Sequence, residues 1–258
     1  VISALIGPND VVINDAANHA SIYDGANLSG GEVKMYLHGN MKHLEQQLRR
    51  LPESKKGRLI VTDGVFSMHG DVANLPAILD LAKLYSCRVM VDDAHGIGVM
   101  GPTGKGTPEY WGCNRDIDIM YGTLSKAPGM IGGYCAGSRQ LIRYLHYYAR
   151  TYLFSTSLPT PVVAGLVEMF RMLLEDKAGH QQLWDNINYL KPRIKELGFQ
   201  TGNSSSAIIP IIIGDEDVMG RFCNELRAAI PATFESEEYQ NRLQELQRSF
   251  GRRQEEAI

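Results

Sequence analysis

Short apolar runs alternate with amphipathic stretches along the first half of this chain, and that alternation admits few folds. "DVVIND" (10–15), "VKMYLH" (33–38), "RLIVTDG" (58–64), "RVMVDDAHG" (88–96), "DIDIMYGTLSK" (116–126) and "GGYCAGS" (132–138) read as strands. Between them, "SIYDGANLSG" (21–30), "MKHLEQQLRRL" (41–51) and "LPAILDLAKLYS" (75–86) read as helices. Leu44, Leu48 and Leu51 recur at helical spacing, and Pro76 suits a first helical turn. Strand–helix alternation of this kind predicts an α/β domain with a mostly parallel central sheet flanked by helices.

From about residue 138 the pattern turns helical, through "RQLIRYLHYYARTYLF" and two longer stretches. "SAIIPIIIG" (206–214) then reads as a strand and "DVMGRFCNELRAA" (217–229) as a helix. The expected organisation is a large domain over 1–180 and part of a smaller C-terminal α/β domain over 181–258. Its last stretch, from Phe234, is a charge-rich and Gln-rich tail that fits a solvated or frayed helix. The opening "VISALIGPNDVVIND" reads as a chain entered in mid-helix, so an N-terminal part of the large domain is expected to be missing.

Bulk properties narrow the function classes. A hydrophobic fraction of 44% and a charged fraction of 21% are those of a soluble globular protein. A net charge of −3 gives no attraction to nucleic acid or to an anionic membrane surface. The longest apolar run, "AIIPIII" (207–213), falls far short of the roughly 18 residues of a membrane span, and no basic-then-apolar signal pattern opens the sequence as given. Cys87, Cys113, Cys135 and Cys223 are widely spaced with no C-x-x-C pair, which fits free thiols in a reducing cytoplasm better than a disulfide framework or a metal site.

Polar clusters end four of the expected strands: "NDAANHAS" (14–21), "TDGVFSMHGD" (62–71), "VDDAHG" (91–96) and "YGTLSK" (121–126). Ligands of open α/β sheets bind at the carboxyl ends of the strands, so the four suggest one shared site. Asp92 ends an apolar strand, where a carboxylate is costly without a positive partner. His95 follows just past the small Ala94. A metal reading of Asp92 and His95 lacks a third ligand. A Ser67–His95–Asp92 triad lacks the G-x-S-x-G elbow. Lys126, in "LSKAPG", is by itself an ordinary solvated lysine. Beside the Asp92 cluster it becomes a candidate Schiff-base lysine, with Asp92 as partner of a protonated pyridine nitrogen and Thr123 near a phosphate.

These strings resemble a known family. "NHASIYDG", "TDGVFSMHGD", "VDDAHGIGVMGPTGKG", "GTLSKAPGMIGG" and "YLFSTSLPTP" stand in the order found in the α-oxoamine synthases, fold-type I enzymes dependent on pyridoxal 5'-phosphate. The family includes 8-amino-7-oxononanoate synthase, 2-amino-3-ketobutyrate CoA ligase and serine palmitoyltransferase. The resemblance implies that Lys126 binds the cofactor aldehyde, Asp92 its ring nitrogen, and His95 and Ser67 its ring hydroxyl. It implies that His19 stacks on one ring face and Ala94 packs on the other. Thr123 is implied at the phosphate, and Ser155 and Thr156 of "FSTS" at the phosphate of a partner subunit in a homodimer. The implied reaction joins a small amino acid to an acyl thioester, presented by coenzyme A or an acyl-carrier protein, usually with loss of CO2. The alternatives are another fold-type I enzyme, such as an aminotransferase, or a truncated, non-catalytic subunit. His69 stands where the family commonly has an acidic or amide residue, and no role is assigned to it.

Overall fold

The computed structural model describes residues 1–54, 57–175 and 178–234. Within them, β1 (Val11–Asp15), β2 (Glu32–Tyr36), β3 (Arg58–Asp63), β4 (Arg88–Asp92), β5 (Ile119–Thr123) and β6 (Gly133–Gly137) form one sheet in the order β2-β1-β3-β4-β5-β6. The first four pairings along that order are parallel, and β6 is antiparallel to β5. The α/β expectation therefore holds, strand by strand, to within a few residues.

The strands are apolar on both faces, so both faces must be covered. Val11, Ile13, Ile60, Val89 and Val91 point to one side, where α3 (Met41–Arg49) supplies Leu44 and Leu48 and α4 (Leu75–Leu84) supplies Leu75, Ile78 and Ala82. Val12, Leu59, Val61, Met90 and Ile119 point to the other, against Ile2 and Ile6 and against Ile22 and Ala26 of α2 (Ala20–Asn27). This odd–even division is the two-residue period of a strand turned into two cores. The helices on the first face start where the side chains dictate. Asn40 and Asn74 accept the backbone N–H of His43 and Ala77, caps worth about 1 kcal/mol each.

The expected strand at 206–214 does not form. Ile212 alone makes a bridge-type contact there. Pro210 has no N–H to offer a ladder, and the N–H groups of Ser205 and Ser206 are spent on the carbonyl of Gly70. By its contacts the chain divides into Val1–Pro210 and a unit beginning at Ile211. The described part of the second unit carries the helix Glu216–Phe234. The charge-rich tail expected beyond it lies outside the described residues. No helix among those described is long and apolar enough to cross a membrane.

Candidate active site

The parallel order brings the carboxyl ends of β1, β3, β4 and β5 to one edge of the sheet as immediate neighbours. These are the four strands that end in polar clusters. They meet at a cavity of about 260 Å³ lined by His19, Ser67, Asp92, Ala94, His95, Thr123 and Lys126, with Asp63, Tyr121 and Ser125 among its other walls. Seven of the nine residues expected at the site thus converge. Ser155 and Thr156 are exposed and do not line the cavity.

Each side chain is delivered by a local device. Asn18 clamps the end of β3 from the loop after β1. Its amide donates to the Val61 carbonyl at 2.8 Å, and its oxygen accepts the Asp63 N–H at 2.9 Å. This brings His19 to the mouth, where its N–H donates to the Asp63 carboxylate at 3.1 Å and its ring caps α2 at Ser21. At the end of β4, Asp92 accepts the Ala94 N–H at 3.1 Å, turning the chain so that Ala94 and His95 follow along the cavity.

The second aspartate of "VDD" does something different. Asp93 is fully buried and accepts both the N–H and the hydroxyl of Thr107. A Cβ on Gly64, Gly96 or Gly106 would lie 2.4, 2.0 or 1.8 Å from its carboxylate oxygens. Three glycines therefore form a cage that only a missing side chain can leave open, and Asp93 pins the loop between β4 and Thr107 from beneath.

Lys126 lies in the loop joining β5 to β6, closed at its base by the Leu124 N–H to Gly132 carbonyl bond of 2.9 Å. The Thr123 hydroxyl accepts the Ser125 N–H and pairs with the Ser125 hydroxyl at 2.7 Å, a side-chain turn that aims the next residue inward. Lys126 Nζ stands 2.8 Å from His95 Nε2.

The electrostatics suit a reactive amine. Partial burial lowers the Lys126 pKa, against the pull of Asp92 and Asp63 in the other direction. Burial, with Lys126 and His19 nearby, lowers the His95 pKa, so its ring is neutral and accepts from the ammonium. Burial raises the Asp92 pKa, opposed by the Ala94 N–H and Lys126. Asp63 is pushed up to about 7, first by burial and then by Asp92. Asp63 and Tyr121 are the residues that sequence reading passed over. "TDG" reads as a strand end, but only the register against Asp92 shows that its aspartate belongs to the site.

A larger cavity of about 880 Å³ opens at the opposite edge of the sheet, beside Arg58, Arg88 and Asp118. It gathers strand starts, with Arg88 and Asp118 engaged with each other at 2.7 Å, and holds no amine–carboxylate set of the kind found at the other edge. Among the described residues no His, Cys, Asp and Glu group is arranged to hold a metal ion.

Comparison with known proteins agrees with this geometry. The profile of the family described as aminotransferase class I and II matches residues 1–240. The 8-amino-7-oxononanoate synthase of Thermoanaerobacter pseudethanolicus is 46% identical over 226 residues, 88% of this chain and 57% of that protein. The 4-hydroxy-2,2'-bipyrrole-5-methanol synthase of a Serratia species is 45% identical, over 83% of this chain and 33% of its own length. Sphingomonas wittichii serine palmitoyltransferase superposes with a TM-score of 0.80 at 37% identity, covering 84% of this chain and 54% of that one. The chain thus spans little more than half the length of the synthase and the transferase. Sheet order, converging strand ends and matched profile agree: the chain belongs to the aminotransferase class I and II family.

Proposed function

We propose that this chain carries the cofactor-binding core of a pyridoxal-phosphate-dependent acyltransferase of the 8-amino-7-oxononanoate synthase kind. It would condense a small amino acid with an acyl thioester of coenzyme A or an acyl-carrier protein, with release of CO2. The observation that carries this reading is the meeting of Lys126, His95 and Asp92 in one cavity. Such a donor set fits the cofactor: an amine of lowered pKa for the aldehyde, a buried carboxylate for the ring nitrogen, and short hydroxyls at Ser67 and Thr123 for its oxygens.

When bound, the cofactor supplies an electron sink for a bond at the amino acid Cα. The chain's own residues do the rest. Asp92 holds a proton on the ring nitrogen, and its burial keeps water from competing. His19 and Ala94 line the cavity and would hold the ring between them, Ala94 leaving room by being small. Lys126 Nζ would hold the cofactor through its aldehyde, and its amine is the base placed to take the amino acid's Cα proton. His95 accepts from Lys126 at 2.8 Å and keeps the amine over the cavity. Ser155 and Thr156, exposed and away from the cavity, serve the phosphate of a second subunit in a homodimer. The substrate classes rest on the likeness to the relatives, and the cytoplasmic setting on four free, widely spaced cysteines.

The substrate reading is tested by supplying glycine, L-alanine or L-serine with an acyl-CoA and following free thiol and CO2. Release of both with one amino acid supports it. Amino-group exchange with a keto acid and no thiol would favour the aminotransferase alternative.

A further inference from the structure

Outside the cavity, one cluster of ionisable groups joins three segments. His38, just after β2, has Nδ1 2.8 Å from an Asp15 oxygen at the end of β1 and Nε2 2.8 Å from an Asp71 oxygen. Asp71 closes the excursion 64–73 that leads from β3 to α4. There Val65 bridges Val72, Phe66 donates its N–H to the Asp71 carbonyl at 3.0 Å, and Gly70 donates back to Phe66 at 2.8 Å. The His38 ring also meets the Phe66 ring edge-on, with centroids 4.4 Å apart. Ser67, on the same excursion, lines the cavity.

We propose that His38 acts as a doubly protonated imidazolium tie that positions the Ser67 excursion over the cavity. A neutral imidazole has one N–H and one lone pair, so it can donate to one carboxylate and must present the lone pair to the other. With both ring nitrogens at 2.8 Å from carboxylate oxygens, only the cation satisfies both. Asp15 is well supplied without it, accepting the N–H groups of Ala17 and Gly39. Asp71 is not: its second oxygen is buried without a hydrogen-bond partner, so the tie to His38 is what compensates its charge.

The surrounding groups leave the charge on His38. Burial alone would lower its pKa, but Asp15 and then Asp71 outweigh that, and the net shift is upward. Tyr23 and Tyr36, near Asp15, have pKa values raised by burial and remain neutral. His69 lies 6.4 Å away ring to ring, and His43 is engaged with the Leu37 N–H at 2.9 Å. On its far side the excursion is fastened by Ser205 and Ser206, which donate to the Gly70 carbonyl. The Gly64 N–H donates to the Asp92 carbonyl at its start and Trp111 Nε1 to the Ala73 carbonyl at its end, so His38 is the fastening of the Asp71 turn that depends on a protonated ring. A histidine whose pKa is raised on folding holds its tie at low pH and loses it as pH rises through the raised value.

The positioning role rests on the proposed cofactor site, but the tie itself does not, and the experiment separates them. Nitrogen-15 NMR of His38 near pH 7 should show protons on both ring nitrogens; a neutral tautomer would overturn the proposal. Amide exchange at Phe66 and Gly70 should quicken about tenfold in Asp71→Asn, which keeps the Asp15 contact and the shape. Pyridoxal phosphate affinity, followed from pH 6 to 9, should fall on the alkaline side in the wild type. In His38→Gln it should be weaker at pH 6 and lack the part of that fall that tracks His38. Unchanged exchange and an unchanged affinity profile in both variants would refute the tie. If the wild type binds no cofactor at all, the proposed function fails, and ring protonation with amide exchange still decides the tie.

Discussion

Asp63 and Asp92 are register partners across β3 and β4, and both line the cavity that holds Lys126. Partners in a parallel ladder present their side chains to the same face, so two carboxylates share one poorly hydrated space. Asp63 is accordingly pushed up to about 7, by burial first and Asp92 second. The folded protein holds this proton more tightly than the unfolded chain. Stability from this group is therefore greatest below the usual carboxylate pKa and falls as pH rises toward about 7. Asp63→Asn should raise the Tm at pH 8, by an amount corresponding to at most a few kcal/mol, and the gain should vanish near pH 4. Thermal unfolding of both proteins across that range checks the sign.

Lys126 should react ahead of the chain's exposed lysines. Partial burial lowers its pKa and outweighs the opposite pull of Asp92 and Asp63. With a limiting amine-acylating reagent at about pH 8, mass mapping should find Lys126 modified ahead of the surface lysines. Lys126→Ala should cost activity by at least about two orders of magnitude while leaving the circular dichroism intact. Equal labelling of all lysines would contradict a lowered pKa.

The glycine cage around Asp93 predicts a stability defect with a specific origin. A methyl at Gly96 would lie 2.0 Å from the Asp93 carboxylate, so Gly96→Ala must displace the pinned loop, at a cost of about 1–3 kcal/mol. Asp93→Ala should cost about as much, by leaving the buried Thr107 N–H and hydroxyl without their acceptor. Urea midpoints give both values. The double variant should lose less than the sum, because removing the carboxylate makes room for the methyl.

Much of the site was legible because its chemistry sits at strand ends. The alternation of apolar and amphipathic stretches located six strands, and four polar clusters at their carboxyl ends announced a common edge. What escaped were relations that exist only across strands. Asp63 looks like any turn-side aspartate until its register against Asp92 is known. "VDD" does not say which aspartate faces the cavity and which goes into a glycine cage. Asp15, His38 and Asp71 are far apart in sequence, so the tie that His38 makes between the two aspartates has no local signature. The missing strand at 206–214 failed for another reason. Its apolar content suits a strand, but Pro210 and the bonds of Ser205 and Ser206 to Gly70 withdraw its backbone from pairing.

The central claim, that Lys126 and Asp92 form a pyridoxal-phosphate site, is tested most directly by adding the cofactor and recording the visible spectrum. Wild type, Lys126→Ala and Asp92→Asn should be compared, each reduced with borohydride and mapped by peptide mass. A cofactor site built on Lys126 and Asp92 predicts a visible band in the wild type, with the reduced cofactor fixed to the peptide containing Lys126. It predicts none fixed in Lys126→Ala and a weakened, shifted band in Asp92→Asn. A folded wild type that gives no band, or label fixed at some other lysine, would contradict it.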